Sequence, residues 1–250
     1  MLKNRRALVT GSTSGIGLAI ARALAAEGAE VILNGLGDPA EIATLCEELG
    51  ASYNGANLMD PQAIAGMMAA IGAVDILVNN AGMQHVSPVE DFPPEKWDAI
   101  IALNLTAAFH TTRLAVPGMK AKGWGRIITS ATSGVIAPIP NLGLSNALRS
   151  ALVGWSKTLA AEVAKDGVTS NIVLPGRIAT PRIAFLDAKK AEREGREISQ
   201  VEAESLRAIP AGRYGDPQEY ADVVAFLAST RASYVTGSMI RIDGGYIANV

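Results

Sequence analysis

A glycine-rich stretch near the N-terminus holds the residues whose spacing points most clearly to a chemical task. Residues 10–17, Thr-Gly-Ser-Thr-Ser-Gly-Ile-Gly, follow the apolar run Ala7-Leu8-Val9 and precede residues 18–24, which have the apolar stripe of a helix. Glycine lets a strand-to-helix turn adopt positive φ and lets phosphate oxygens approach the backbone. Unpaired N–H groups and the positive end of the helix then favour an anion. A tight turn can need glycine for its geometry alone, but the stretch predicts a dinucleotide site formed by Gly11, Ser14, Gly15, Ile16 and Gly17.

Three further clusters of polar and glycine residues come directly after predicted strands. Asn79-Asn80-Ala81-Gly82 ends a strand at 74–78, Thr132 follows a strand at 126–129, and residues 175–180 follow a strand at 169–174. Because strands alternate with helices, the sheet should be parallel, with helices on both faces. We therefore predict an α/β fold, a single doubly wound Rossmann-type domain over residues 1–250, with all these clusters at one edge. The charged, alanine-rich residues 182–208 should be helical and form a lid over that edge. Residues 39–49 and 94–119 should also be helices, the second bent near Asn104, and a poor strand should lie around residues 52–56.

The composition limits the classes of protein and of partner. The 250 residues are 49% hydrophobic and 18% charged, which suits a large folded core, and the net charge of −2 gives no reason to expect nucleic acid or anionic membrane as a partner. The one cysteine, Cys46, excludes an intrachain disulfide and metal sites with several thiolates, so we predict no metal. No apolar signal segment follows the first charged residues, and no apolar run reaches about 18 residues. We expect a cytoplasmic protein that acts on a small molecule.

Five motifs occur in order along the chain: Thr10-Gly11-x-x-x-Gly15-Ile16-Gly17, Asn79 to Gly82, Asn104, Pro175-Gly176 with Thr180, and Val235-Thr236-Gly237 with Asp243-Gly244-Gly245. Together they resemble the motifs of the short-chain dehydrogenase/reductase family over essentially the whole chain. The segments 34–38 and 79–93 are most similar to its 3-hydroxybutyrate dehydrogenase branch. The resemblance implies hydride transfer between a nicotinamide cofactor and a small alcohol or ketone, in a homo-oligomer, either a tetramer or a dimer. It also implies that Asn80, Ala81, Gly82, Pro175, Gly176, Ile178 and Thr180 bind the cofactor.

The catalytic positions depart from the family pattern, which uses serine and a Tyr-x-x-x-Lys pair on one helix face. In the register set by residues 150–160, Ser145 stands in the tyrosine position and Arg149 in the lysine position. Thr132, with Ser133 beside it, stands in the serine position, and the family's asparagine is unchanged at Asn104. No tyrosine lies between Tyr53 and Tyr214, so a shifted register does not supply one. The candidate catalytic residues are therefore Asn104, Thr132, Ser145 and Arg149.

This change alters the acid–base chemistry that the site can perform. A serine hydroxyl is a much weaker acid than a phenol, whose reference pKa is about 10. Arg149 stays charged, so it cannot easily move protons, but it can bind ribose, phosphate or a substrate anion and can stabilise an alkoxide. Loss of general acid–base catalysis costs about 10²–10⁴ in rate. Either His85 serves as the acid, a water held by Ser145 and Arg149 carries the proton, or the protein binds cofactor without turnover, as a sensor or partner subunit. His85 can equally be a structural histidine, and a non-redox lyase or isomerase is a further possibility.

The residues at the end of the second strand favour NAD over NADP. Binding a 2′-phosphate usually needs Arg or Lys there or in the glycine loop. Neither residues 12–14 nor residues 34–38 contain one, and Asp38 would repel a phosphate and accept from ribose hydroxyls instead. Asp38 can also be only the cap of the helix that starts at Pro39. Asn57-Leu58 occupies the family's adenine position, where the asparagine carbonyl can accept a hydrogen bond.

Three arginines suggest an anionic substrate. Arg177, which follows Pro175-Gly176, could join Arg149 and Arg182 in binding the carboxylate of a hydroxy or keto acid, since guanidinium binds carboxylate through paired hydrogen bonds. Contact of Arg177 and Arg182 with the cofactor pyrophosphate or with solvent is the alternative. Gln84 and His85, just past the Asn79–Gly82 turn, are the remaining candidates for substrate contact.

Overall fold

Seven parallel strands form one sheet in the computed structural model, which describes residues 1–248. The order across the sheet is β3-β2-β1-β4-β5-β6-β7, and helices cover both faces. This arrangement confirms the predicted α/β fold with a doubly wound parallel sheet. The strands are β1 (Arg6–Thr10), β2 (Glu30–Asn34), β3 (Ser52–Tyr53), β4 (Ile76–Asn79), β5 (Gly125–Ser130), β6 (Val168–Pro175) and β7 (Met239–Ile242).

The helices are close to the predicted ones. Helix α2 has the predicted bounds, and the segment predicted as helical at 182–208 divides into two helices. The bounds are α1 (Gly15–Ala26), α2 (Pro39–Leu49), α3 (Pro61–Ile71), α4 (Trp97–Ile101), α5 (Ala107–Ala121), α6 (Gly143–Val163), α7 (Pro181–Glu194), α8 (Ile198–Arg207) and α9 (Pro217–Ala228).

Two apolar layers lie on opposite faces of the sheet. Ala7 and Val9 of β1 face a layer built with α1 and α9, whereas Leu8 faces a layer built with α3 and α5. Successive side chains of a strand point to opposite faces, so one strand serves both layers. The inner strands are therefore apolar throughout, as expected for a parallel sheet covered on both sides.

Local signals determine where several elements begin and end. Asp38 caps α2 by accepting from the N–H groups of Ala40 and Glu41, and Gly50 ends that helix in the left-handed conformation. The strand predicted around residues 52–56 is only two residues long. The side chain of Asn54 accepts from the N–H of Ala56 at 3.1 Å, and this turn ends β3 early.

The long helical run from Pro94 to Ala121 is bent where the sequence predicts a bend. A short 3₁₀ turn and α4 lead into a π-helical segment, Ala102–Thr106, and then into α5. By length and composition alone this run could cross a membrane, with a mean hydropathy of 1.3. Its α5 part packs against α3, β4 and β5, and core helices of this kind meet the same criterion. The expectation of no membrane partner stays a prediction.

The order of the strands reverses between β1 and β4. The chain passes from β1 outward to β2 and β3, then returns to pair β4 against the other side of β1. Ligands of open parallel sheets bind at the carboxyl ends of strands at such a switch point. The turns that follow β1 and β4 are the glycine stretch and Asn80-Ala81-Gly82.

Candidate active site

The turn after β1 lies directly against the turn after β4. Gly11 has a φ of +64°, and a Cβ added there would lie 2.9 Å from the Cα of Ala81. A Cβ on Gly17 would overlap the carbonyl oxygen of Gly11 and would lie 2.5 Å from Nδ2 of Asn80. Only glycine fits at these two positions, because a side chain at either would collide with backbone.

Hydrogen bonds join these two turns. The side chain of Asn80 donates to the carbonyl oxygens of Thr10 and Gly11, each at 3.1 Å. The Thr10 hydroxyl in turn accepts from the backbone N–H of Asn80 at 2.9 Å and of Ala81 at 3.1 Å. The turn after β4 therefore holds the glycine turn in shape.

The N-terminus of α1 opens from this glycine turn. Ser14 is the N-cap residue and is exposed, and its side chain makes no capping hydrogen bond. The first N–H groups of a helix, here those of Gly15, Ile16 and Gly17, have no acceptor within the helix. This helix N-terminus has uncapped amides, and the glycines leave its backbone open to a ligand. Both features fit the pyrophosphate of a dinucleotide.

The end of β2 is polar but carries no cation. Thr13 donates its hydroxyl proton to the carbonyl oxygen of Leu36 at 2.6 Å, which holds residues 35–37 against the glycine turn. Asp38 is exposed, and its Oδ1 is engaged as the cap of α2. Asn57 uses Oδ1 to accept from the N–H of Met59 at 3.0 Å, and Leu58 is a buried core residue. Asp38 therefore does cap α2. Its second carboxylate oxygen, Oδ2, makes no hydrogen bond or ion pair within residues 1–248.

Asn104 sits in the π-helical segment between α4 and α5 and is buried. Its side chain accepts from the N–H of Met83 at 2.8 Å and donates to the carbonyl oxygen of Met83 at 2.7 Å. This paired contact fixes the loop that follows Gly82. A π-helical bulge is a common feature of functional sites, and here it turns an amide toward the ends of the strands.

The Arg149 guanidinium projects from α6 into the same place. Its Nη1 donates to the carbonyl oxygen of Ser130 at 2.9 Å. A Cβ on Gly82 would overlap Nη2 of Arg149 and would lie 2.9 Å from Oδ1 of Asn104. Burial, with a smaller effect from the positive charge of Arg182, lowers the pKa of Arg149 to about 10, so this group is still a cation at neutral pH.

Ser145 lies one helical turn before Arg149, so both side chains are on one face of α6. The Ser145 side chain is half-buried and has no hydrogen-bond partner within residues 1–248. Thr132 caps the short 3₁₀ turn Ser133–Val135 and accepts from the N–H of Gly134 at 3.3 Å. The four candidate catalytic residues therefore come from α6, the π-helical segment and the loop after β5.

The five tyrosines all lie outside α6, the helix that carries Ser145 and Arg149. Tyr220 of α9 is fully buried, and its hydroxyl contacts Oγ of Ser130 at 2.9 Å and the carbonyl oxygen of Val173 at 3.3 Å. Burial raises the pKa of Tyr220 well above its ordinary value. Tyr53 donates to the carbonyl oxygen of Gly35, and Tyr214 donates to Oδ2 of Asp187. Tyr234 and Tyr246 are exposed.

A small cavity of about 10 Å³ lies behind Asn104 and Arg149. The hydroxyl oxygen of Thr129, which lines it, is buried and has no hydrogen-bond partner within residues 1–248. A polar space of this size has room for about one water molecule. The interior next to Arg149 can therefore hold a water.

A buried ion pair anchors the lid. Arg177 donates through Nη2 to Oδ1 of Asp187, and Tyr214 donates to Oδ2 of Asp187 at 2.7 Å. Asp187 belongs to α7 and is 1% exposed. The contact with Asp187 means that the predicted role of Arg177, binding a substrate anion, would require it to leave a buried carboxylate. Asp187 could not be identified from the sequence, because it is one acidic residue within a charged segment.

The start of α7 brings the end of β6 to the glycine turn. The methyl carbon of Thr180, the N-cap residue of α7, would lie 3.8 Å from a Cβ on Gly15. Ile178 is buried and bridges to Gly215. Arg182, in the first turn of α7, has no hydrogen bond or ion pair within residues 1–248. Pro175 is the last residue of β6. Gly176 follows it, and a Cβ added there would lie 2.6 Å from the Cα of Asp243.

His85 and Gln84 lie on the loop after β4. Nδ1 of His85 is 3.2 Å from Nζ of Lys96, and the His85 ring meets the ring of Phe92 edge to face. Gln84 is half-buried and makes no hydrogen bond within residues 1–248. One imidazole nitrogen is thus engaged by an ammonium group.

Asn146 is a site residue that the sequence analysis did not identify. It donates to the carbonyl oxygen of Ile139 at 3.0 Å and so holds the loop that leads into α6.

The chain is similar to known oxidoreductases along its length. Residues 11–247 match the family model described as enoyl-(acyl carrier protein) reductase. The D-beta-hydroxybutyrate dehydrogenase of Cupriavidus necator is 46% identical over 99% of this chain and 100% of its own, and that of Rhizobium meliloti is 42% identical over 98% and 99%. These relatives agree with the branch that segments 34–38 and 79–93 resemble.

A solved structure extends the similarity to three dimensions. L-sorbose reductase from Gluconobacter frateurii, complexed with NADPH and L-sorbose, superimposes with a TM-score of 0.90 at 32% identity. The match covers 100% of this chain and 98% of that one. The shared fold and the cradle of turns after β1 and β4 support a nicotinamide cofactor.

Proposed function

Because the chain belongs to the short-chain dehydrogenase/reductase family, we propose that it is an NAD-dependent oxidoreductase that interconverts a small hydroxy acid and the corresponding keto acid, with an atypical acid–base site. The observation that supports this most is the meeting of the glycine cradle with the polar cluster of Asn104 and Arg149 at Gly82. A bare cofactor-binding scaffold would not need that cluster. The test of this proposal is direct observation of hydride transfer.

The residues that would hold the cofactor have distinct tasks. The amides of Gly15, Ile16 and Gly17 would bind the pyrophosphate, and the turn Asn80-Ala81-Gly82 would line the nicotinamide half. Thr180, with Pro175, Gly176 and Ile178 before it, would close the far side. When bound, the nicotinamide supplies or accepts the hydride.

Arg149 would stabilise negative charge on the substrate oxygen. A guanidinium is a fixed cation, and in a half-buried site its effect on a developing alkoxide is stronger than in water. Thr132 can donate a further hydrogen bond, and Asn104 keeps the loop after Gly82 in place. The chain thus retains the electrostatic part of the catalysis and lacks the phenolic acid.

We propose that the proton travels through a water held by Ser145 and Arg149. Within residues 1–248 the Ser145 hydroxyl has no hydrogen-bond partner, and it lies one helical turn from the guanidinium. His85 is the other candidate, but its Nδ1 is engaged with Lys96. A water-borne proton is delivered less efficiently than one from a positioned acid of matched pKa. Slow turnover is therefore part of the proposal.

We expect NADH to bind about tenfold more tightly than NADPH, a difference of about 1.4 kcal/mol. The physical reason is that Asp38 would repel a 2′-phosphate and no cation near the end of β2 would offset it. Fluorescence titration of the purified protein with each nucleotide measures the two affinities. Equal affinities, or tighter NADPH binding, would contradict the proposed preference.

Two variants test whether the negative charge of Asp38 causes this cofactor preference. Asp38→Asn removes the negative charge and keeps a good N-cap residue, so NADPH affinity should rise several-fold while NADH affinity changes little. Glu41→Gln, in the first turn of the same helix, is the matched control and should alter neither affinity by more than about twofold, as for a screened surface charge.

A second candidate function is binding of the cofactor without turnover, as a sensor or partner subunit. The absence of a tyrosine at position 145 favours it, since the usual proton donor is missing. A non-redox lyase or isomerase would reuse the same pocket. Cofactor binding without hydride transfer separates both from the oxidoreductase. The homo-oligomeric state, tetramer or dimer, and the cytoplasmic location stay predictions.

A further inference from the structure

We propose that Thr13 and Tyr53 are specificity-determining residues, because together they hold the loop of residues 35–37 in a position that disfavours the 2′-phosphate of NADPH. This role rests on the proposed function, since a nicotinamide dinucleotide must lie along the glycine turn. Part of the preference for NADH then comes from the position of a loop, in addition to the charge of Asp38.

Two hydroxyl groups hold consecutive carbonyl groups of the 35–37 loop. Thr13, in the glycine turn after β1, donates to the carbonyl oxygen of Leu36 at 2.6 Å. Tyr53, the last residue of β3, donates to the carbonyl oxygen of Gly35 at 2.8 Å. Because β2 lies between β1 and β3 in the sheet, the loop that follows β2 is held from the side of each neighbouring strand.

The 35–37 loop also lies in direct contact with Thr13. A Cβ added to Gly35 would lie 2.6 Å from Oγ1 of Thr13 and 3.0 Å from its methyl carbon Cγ2. The hydroxyl of Tyr53 is similarly close to the chain, at 2.9 Å from a Cβ added to Gly55. The contact at Gly35 leaves no room for a ligand group between the loop and Thr13.

The base of the loop is anchored separately. Ser12 donates its hydroxyl proton to the carbonyl oxygen of Val9 at 2.7 Å and accepts from the backbone N–H of Asn34 at 3.0 Å. The side chain of Asn34 donates to the carbonyl oxygens of Asn54 at 2.9 Å and Ala56 at 3.1 Å. The loop can therefore move only beyond Asn34, where Thr13 and Tyr53 hold it.

A 2′-phosphate needs both space and hydrogen-bond donors beside the ribose. The hydroxyl protons of Thr13 and Tyr53 are already donated to backbone carbonyls, and residues 34–38 contain no Arg or Lys. Moving the loop outward to admit a phosphate would break one or both of these hydrogen bonds, each of which contributes modestly to such an equilibrium. NADH has a hydroxyl group at the same position and would leave the loop in place.

The effect of the loop and the effect of Asp38 differ in their dependence on salt. Asp38 is exposed, so its repulsion of a phosphate is largely screened at about 0.5 M salt, where the Debye length is about 4 Å. The two hydrogen bonds of the loop involve neutral groups, and salt does not screen them. Of the expected tenfold preference for NADH, we expect about threefold to remain at high salt.

The test is fluorescence titration of the full-length protein with NADH and NADPH at about 0.05 and 0.5 M salt. Thr13→Val/Tyr53→Phe removes both hydroxyl groups while charge and side-chain shape stay nearly the same. The preference of this double variant for NADH should fall about threefold at both salt concentrations, so that it disappears at high salt. Asp38→Asn should instead lower the preference only at low salt.

Three variants control for the substitutions themselves. Thr13→Ser retains the hydroxyl group and should keep the preference of the unaltered protein. Thr44→Val and Tyr234→Phe repeat the two changes elsewhere and should also leave it unchanged. Thr44 donates to the carbonyl oxygen of Ala40 within α2 at 2.9 Å, and the Tyr234 side chain is fully exposed. The altered side chains are exposed or half-buried, so all these variants should fold.

The role of the two hydroxyl groups would be overturned by a double variant with an unaltered preference for NADH. An equal loss of affinity for both nucleotides would overturn it too, because the hydroxyls would then only stabilise the site. A preference of the unaltered protein that vanishes at high salt would assign the discrimination to charge alone. Failure to bind either nucleotide would contradict the proposed function as well. Because the titrations need no turnover, NADH binding without hydride transfer would contradict only the proposed reaction and leave the role of the loop standing.

Discussion

Gly17→Ala is expected to weaken NADH binding at least about 100-fold, which corresponds to about 2.7 kcal/mol. The added methyl group would overlap the carbonyl oxygen of Gly11 and lie 2.5 Å from the side-chain nitrogen of Asn80. Both are parts of the cradle, and neither can move without breaking the hydrogen bonds that join the turns after β1 and β4. Fluorescence titration with NADH measures the effect.

Gly66→Ala is the matched control for this change. Gly66 lies within α3, where an added Cβ would meet nothing within 4 Å. The same substitution there should leave NADH affinity unchanged and should stabilise the helix by about 0.5–1 kcal/mol. If Gly17→Ala stays folded, shown by an unchanged circular dichroism spectrum, and binds NADH normally, the cofactor does not lie on the glycine turn.

The double variant Ser145→Tyr/Arg149→Lys is expected to raise kcat for reduction of acetoacetate by about 10²–10⁴, the usual contribution of a positioned general acid. The two changes place a phenol and an ammonium one helical turn apart on the same face of α6. Acetoacetate is chosen because it is a small keto acid of the proposed substrate class, and lysine keeps a positive charge at position 149. The measurement is NADH oxidation at saturating cofactor.

Ser145→Phe/Arg149→Lys controls for the shape of the ring. It supplies the same aromatic volume without the hydroxyl, so we expect no gain in kcat. An equal gain in both variants would mean that packing and not proton donation limits the reaction. No gain in the tyrosine variant, with NADH affinity retained, would mean that another group already supplies the acid.

The elements of the fold were predictable because local patterns determine them. Inner strands such as β5 and β6 appear as short apolar, β-branched runs, and Asp38 with Pro39 specifies the start of α2. The bend at Asn104 was predicted, but its π-helical form was not, because a pattern of apolar residues does not distinguish helix types. Strand β3 was overestimated, since the side-chain turn at Asn54 competes with the strand.

The partners of the site residues were not predictable in the same way. Arg177 and Asp187 are ten residues apart, and only the path of the chain from β6 into α7 brings them together. Ser130 and Tyr220 are 90 residues apart and meet where α9 packs on β5. The sequence placed Arg149 in the lysine position, but its direction toward Gly82 depends on how α6 packs. Long-range packing of this kind leaves no periodic signal in the sequence.

The most direct test of an oxidoreductase with an atypical acid–base site is a single-turnover reaction of the protein saturated with NADH. Absorbance at the NADH band is followed after mixing with a small keto acid such as acetoacetate. We expect hydride transfer at a rate about 10²–10⁴ lower than that of the Ser145→Tyr/Arg149→Lys variant, which carries a positioned phenol. Saturable NADH binding with no loss of absorbance for any keto acid would contradict the proposed reaction and favour a protein that binds the cofactor without using it.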